Sequence, residues 1–168
     1  MKTHITWTRQ LFVRDLGAVI DEIRLFPDDA TVWATAPGIT NSAGNLALHL
    51  CGNLQHFVGT ALGHTDYVRT RDLEFSSRDV SRDSLVAELG TTIDVVTRVL
   101  SSLDDSALLL EYPDILGGLR LPTGLFLQHL CVHLGFHVGQ IGYLRRVLTG
   151  QATSSGAIDM HRLTAAGS

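Results

Sequence analysis

Apolar positions along the chain recur with helical spacing in four stretches. In the first, residues 7–26, Phe12, Leu16, Val19, Ile20 and Ile23 share one side, with Arg14, Asp21 and Arg24 largely elsewhere. Pro27, Asp28 and Asp29 end it. A loop through Pro37 and Gly38 leads to the second, which opens at Asn41 or Ser42 as cap and runs to about Gly63. Ser81 caps the third, where Leu85, Leu89, Ile93, Val96, Leu100 and Leu103 form a stripe opposite Asp83, Glu88, Asp94 and Arg98. Ser84 stands where a capping box needs an acid or amide, so Ser81 is predicted to act as a cap without the box. The fourth follows Pro122, with Thr123 as cap, and stops at Gly150.

The connections shape the topology. Residues 65–80 are polar and long enough to carry the chain across, so that the second and third helices run in the same direction. Between Asp104 and Pro122 the helical period disappears. Residues 108–112 and 116–121, broken by Gly117 and Gly118, fit a small hairpin. The pattern therefore predicts an all-α four-helix bundle over residues 1–150. A small, polar tail over 151–168 is left loose or docked on a partner. A chain of 168 residues, 45 % apolar and 18 % charged, has the material for one such core.

Charge and cysteine content narrow the partners. The formal net charge is -4, and the basic residues are scattered, with Lys2 the only lysine. That argues against nucleic acid and anionic membrane surfaces, which reward clustered positive charge. Cys51 and Cys131 belong to no CxxC motif and read as buried free thiols in a reducing compartment. The first residues turn polar too early for a secretory leader, so a cytoplasmic protein is expected. Residues 121–144 carry no formal charge, yet Gln128, His129, His133, His137 and Gln140 argue against lipid exposure. This helix should instead be buried on more than one side. Gly135, Gly139 and Gly142 mark a low-bulk face roughly opposite His133 and His137, and a second subunit is expected to cover one of the two sides.

Six of the eight histidines lie in or at the ends of the second and fourth helices: His49, His56, His64, His129, His133 and His137. His133 and His137, four apart on a helix, are neighbours and can share one ion. The third ligand must come from another helix, and His49 in the middle of the second is the natural donor. His129 and His56 remain alternatives on spacing alone. Cys51 and Cys131 each sit two residues from a candidate ligand, about 200° around the helix, and so should point away.

At these residues the chain resembles a known family. The run SAGNLALHLCGNLQHFV from Ser42 and the run LFLQHLCVHLGFHVGQIGYL from Leu125 are similar to the DinB-like superfamily of small bacterial metalloproteins. The most specific element is HxxxHxGQ: His133, His137, Gly139 and Gln140. The resemblance implies a four-helix bundle, often dimeric, with His49, His133 and His137 holding one divalent ion (Zn, Ni, Fe or Mn). It also implies kinship with transferases of low-molecular-weight thiols. At 168 residues the sequence is too short to include the extra C-terminal domain of the mycothiol-dependent isomerases among them, which argues against the expectation of mycothiol use but not of metal binding.

Three neutral imidazoles leave a divalent ion its full charge and open positions, as catalytic sites do. Such an ion acidifies bound water or a bound thiol. Asn53, one turn beyond His49, and Gln140 are candidates to orient a ligand imidazole or a small-molecule substrate. A general base would have to come from outside these two helices, from Asp15, Glu22 or Asp94 for example. Tyr67, Arg69 and Arg71 in the crossover could border the open side and attract an anion. The function expected is metal-dependent transfer of a low-molecular-weight thiol to an electrophile. The alternatives are hydrolysis by bound hydroxide and a non-enzymatic metal-binding stress protein.

Overall fold

The computed structural model describes residues 2–165. All the secondary structure is helical, and no strand forms among the described residues. Four long helices dominate. They are α1 (Thr3–Arg24), α3 (Ala43–Leu54), α6 (Arg82–Ser102) and α7 (Thr123–Thr149). Short helices fill the connections: α2 (Asp29–Trp33), α5 (Arg71–Ser76) and α8 (His161–Ala165). α3 passes without a break into a π-helical stretch, Gln55–Thr60, and a last turn, α4 (Ala61–Gly63).

The caps explain where the helices begin. Ser42 accepts from the Asn45 N–H while the Asn45 side chain accepts from the Ser42 N–H, a reciprocal box that an amide completes in place of an acid. Ser81 accepts from the Ser84 N–H and does so without a box. Thr123 is not a cap but the first helical residue: Pro122 precedes it in extended geometry with no side-chain bond. Gly150 closes α7 at φ 68°, a left-handed position that favours glycine.

Packing runs in a ring: α1 against α6, α6 against α3, α3 against α7, and α7 against α1. Contacts give the directions. Lys2 meets Ser101 while Phe26 meets Arg82, so α1 and α6 are antiparallel. Gln55 meets Thr92, Gly59 faces Val95 and Gly63 faces Val99, so the α3 segment and α6 are parallel. The crossover does what its length predicted. The core within the ring includes Phe12, Leu16, Ile23, Leu50, Leu54, Leu89, Leu100, Leu130 and Leu134.

The connections and the tail take forms that the sequence pattern left open. Part of the crossover folds as α5, which packs against α3. Residues 104–122 make a 3₁₀ turn, Asp105–Leu109, and two isolated antiparallel bridges, Glu111 to Pro122 and Leu116 to Leu119. They pair backbone without forming strands. The glycine face of α7 is approached by the chain's own α1: Gly142 lies under Glu22 and Gly135 near Asp15. The described part of the tail docks on the same chain as well. Buried Arg145 donates to Glu22 Oε2 and to the Thr153 carbonyl, and Arg162 pairs with Asp21 at 2.8 Å. Residues 166–168 lie outside the described residues.

Candidate metal centre

α3 and α7 pack antiparallel, with Leu46 and Leu144 lining one cavity and Phe57 in ring contact with Phe126 further along. This brings the middle of α3 against the middle of α7. His49 Nε2 stands 3.2 Å from His133 Nε2, which is 3.0 Å from His137 Nε2. All three nitrogens lie within 4.8 Å of one another. Two nitrogens each roughly 2.0–2.1 Å from one ion stand about 2.9–3.4 Å apart for right-angle to tetrahedral geometry, so the spacing fits a shared ion.

The outer nitrogens decide what the inner ones can do. His49 Nδ1–H donates to Glu74 Oε2 at 2.8 Å. Arg69 clamps the same carboxylate, Nε to Oε1 at 2.6 Å and Nη2 to Oε2 at 2.8 Å. Burial would push the Glu74 carboxyl up, but the Arg69 and His49 hydrogen bonds outweigh it and hold it below the usual carboxylate range. An ionised carboxylate only accepts, so the His49 proton sits on Nδ1 and the Nε2 lone pair faces inward. His137 Nδ1–H likewise donates to Gln140 Oε1 at 2.7 Å, turning a second lone pair inward. A proton on His133 Nε2 can serve one of its two neighbours only. With the His133 proton on Nδ1 instead, all three Nε2 lone pairs converge, a repulsion that a cation between the rings relieves. The donor set therefore fits a divalent metal.

The remaining titratable groups lie elsewhere. His129 is exposed on the turn before His133, 6.3 Å between ring centroids, and is outside the converging set, as is His56, packed on Phe57. His4, His64 and His161 are exposed. Cys51 is buried, and Cys131 is half-buried in the groove that Arg14 and Asp15 line; burial pushes both thiols up to about 12. None of the three carboxylates considered as a base reaches the histidines. Asp15 is tied to Arg14 at 2.7 Å, Glu22 to Arg145, and Asp94 is exposed on α6. Arg69 is committed to Glu74, and the exposed Arg71 lies over the Phe75 ring.

Asn53 and Gln140 differ from each other. Gln140 touches a candidate ligand directly. Asn53 is only 7 % exposed, one turn beyond His49, and its Oδ1 has no hydrogen-bond partner. A buried acceptor without a partner costs free energy unless something supplies a donor. Sequence reasoning missed Glu74. It lies on a six-residue helix, too short for a periodic signal, and its partner His49 is 25 positions away.

With this geometry in view, the family is clear. The chain belongs to the family DUF1572, described as a protein of unknown function, which matches residues 3–161. Neither the curated proteins nor the solved structures contain a significant match. The three-histidine cluster is consistent with a DinB-like metal site.

Proposed function

We propose that this DUF1572 chain is a four-helix-bundle metalloenzyme of the DinB-like kind, which transfers a low-molecular-weight thiol to an electrophilic small molecule. The observation that carries the reading is the convergence of three Nε2 atoms whose outward nitrogens are already engaged by Glu74 and Gln140. His49, His133 and His137 would hold one divalent ion, Zn, Ni, Fe or Mn. When bound, that ion acidifies a thiol or a water molecule at neutral pH. The chain's own groups do the rest. Glu74 and Arg69 fix His49, Gln140 fixes His137, and Asn53, one turn beyond His49, is the further candidate to orient a ligand imidazole or the substrate. The thiol loses its proton to water, its sulfur forms the new C–S bond, and the electrophile's leaving group departs with the displaced electron pair. His129 stands apart, which leaves ligand positions for these molecules and disfavours a closed storage site.

The test is conjugation of 2-mercaptoethanol to 1-chloro-2,4-dinitrobenzene by protein loaded with each metal in turn. A metal-dependent rate that His133→Ala abolishes supports the reading. An unchanged rate in His133→Ala removes it. Turnover of an activated ester without any thiol, rising toward neutral pH, transfers the same three ligands to a hydrolase. We also infer a homodimer, with the second copy lying along the exposed Leu125, Val132 and Phe136 of α7.

A further inference from the structure

A cavity of about 520 Å³ opens between α7 and the loop that precedes α3. His137 and Gln140 form part of its wall, so it adjoins the candidate metal centre. The rest of the wall includes Ile39, Leu46, Tyr143, Leu144 and Val147, and no charged side chain lines it. Pockets that accept small molecules combine such apolar walls with a few placed polar groups. Here the polar group nearest the histidines is the Gln140 amide. Its oxygen is taken by His137 Nδ1, which leaves the NH₂ group, with no hydrogen-bond partner among the described residues, to donate.

We propose that this cavity receives the uncharged, apolar body of the substrate, and that the substrate carries a carbonyl-type oxygen placed toward Gln140 and the metal. A charged body is disfavoured, because the wall is mainly apolar and carries no side chain of fixed charge to pair with it. The substrate class is thus a neutral, apolar carbonyl compound. In the proposed transfer it is the electrophile, an acyl compound whose carbonyl carbon bears the leaving group that the thiol sulfur displaces, for which a ketone serves as an unreactive probe, and the thiol approaches from elsewhere. The inference rests on the metal-centre reading for its orientation, but the cavity itself does not require the ion.

The experiment uses methyl NMR of the full chain, metal-free and zinc-loaded, titrated with 2-octanone, 2-butanone and octanoate. Expected are saturable shifts at the methyls of Ile39, Leu46, Leu144 and Val147 with 2-octanone in both samples. Affinity should fall roughly fourfold for each methylene removed toward 2-butanone. In the metal-free sample octanoate should bind at least tenfold more weakly. Val147→Trp, at an exposed position that leaves the core intact, should weaken 2-octanone at least tenfold. Octanoate binding to the metal-free protein as well as the ketone does, or ketone shifts that map elsewhere, would overturn the proposal. So would the same methyls shifting with protein concentration while ignoring the ketone, which would assign the cavity to a second copy. Zinc binding is followed in the same samples. Its failure with ketone binding intact removes the metal reading alone, and the converse result removes the cavity assignment alone.

Discussion

At the scale of single residues, Glu74 changes the chemistry most. It makes His49 a more strongly donating ligand while Arg69 balances its charge, so the centre is less bare than three neutral imidazoles alone. Replacing it in Glu74→Gln should lower zinc affinity about 10–100-fold, the usual range for partners of metal-ligating histidines. Competition against a chromogenic chelator reads this directly. The histidines also set a pH dependence. Burial, followed by the neighbouring imidazoles, holds His133 down to about 4, and burial also lowers His137. An unfolded histidine titrates near 6.5. Between these values the unfolded chain takes up protons that the folded chain refuses. The metal-free protein should therefore keep its full histidine contribution above about pH 6.5 and lose it progressively as pH falls toward 4. Urea midpoints across that window, compared with His133→Gln, check it. The variant's midpoint should fall less steeply, and identical slopes would contradict the assignment.

At the scale of elements, the contact of α5 with α3 delivers Glu74 to His49. Gly52 is what permits it. A Cβ built there would stand 2.2 Å from Glu74 Oε1, inside any real contact distance. The carboxylate is the flexible end of its side chain, so it would yield rather than unfold the helix. Gly52→Ala should fold with a near-native circular dichroism spectrum yet bind zinc more weakly, with a loss comparable to that of Glu74→Gln. Combined in one chain, the two changes should cost little more than either alone, because they remove the same bond. Additive losses in chelator competition would show that Gly52 acts by another route. The π-helical stretch belongs to the same scale. It begins two turns beyond His49 on the same helix, and Tyr112, from the irregular segment before α7, donates to the Phe57 carbonyl within it at 2.7 Å. One altered helical turn thus ties the segment between α6 and α7 to the helix that carries His49.

For the whole molecule, two features outside the centre decide integrity and assembly. Arg145 and Glu22 form an ion pair with exposures of only 0 % and 2 %, which joins α7 to α1, and Arg145 also holds the tail. Arg145→Ala leaves Glu22 buried without a partner and should destabilise the fold by about 3–5 kcal/mol. Urea denaturation measures it, and Glu22→Gln with Arg145→Met should recover much of the loss. The second feature is the exposed apolar line of α7, where Val132 is 72 % and Phe136 61 % exposed. If a second copy covers it, light scattering should give the mass of two chains for the wild type and of one for Phe136→Glu, with zinc binding preserved. No helix among the described residues is long and apolar enough to cross a membrane.

The sequence alone determined the four long helices, the Ser81 cap, the Gly150 stop and the His133–His137 pair, and narrowed the second helix's cap to Asn41 or Ser42. Each of these depends on residues within a turn or two of one another, where helical spacing and backbone hydrogen bonding leave little choice. The parallel course of α3 and α6 was legible too, because a long connection permits it. Only the tertiary structure decided that His49 meets that pair while His129 and His56 do not, since this depends on how two helices are rotated against each other. It alone placed Glu74 behind His49, turned α7's glycine face toward α1 and closed an uncharged cavity beside His137. These are contacts between residues far apart in the chain, set by packing the whole core at once, and no local pattern encodes them.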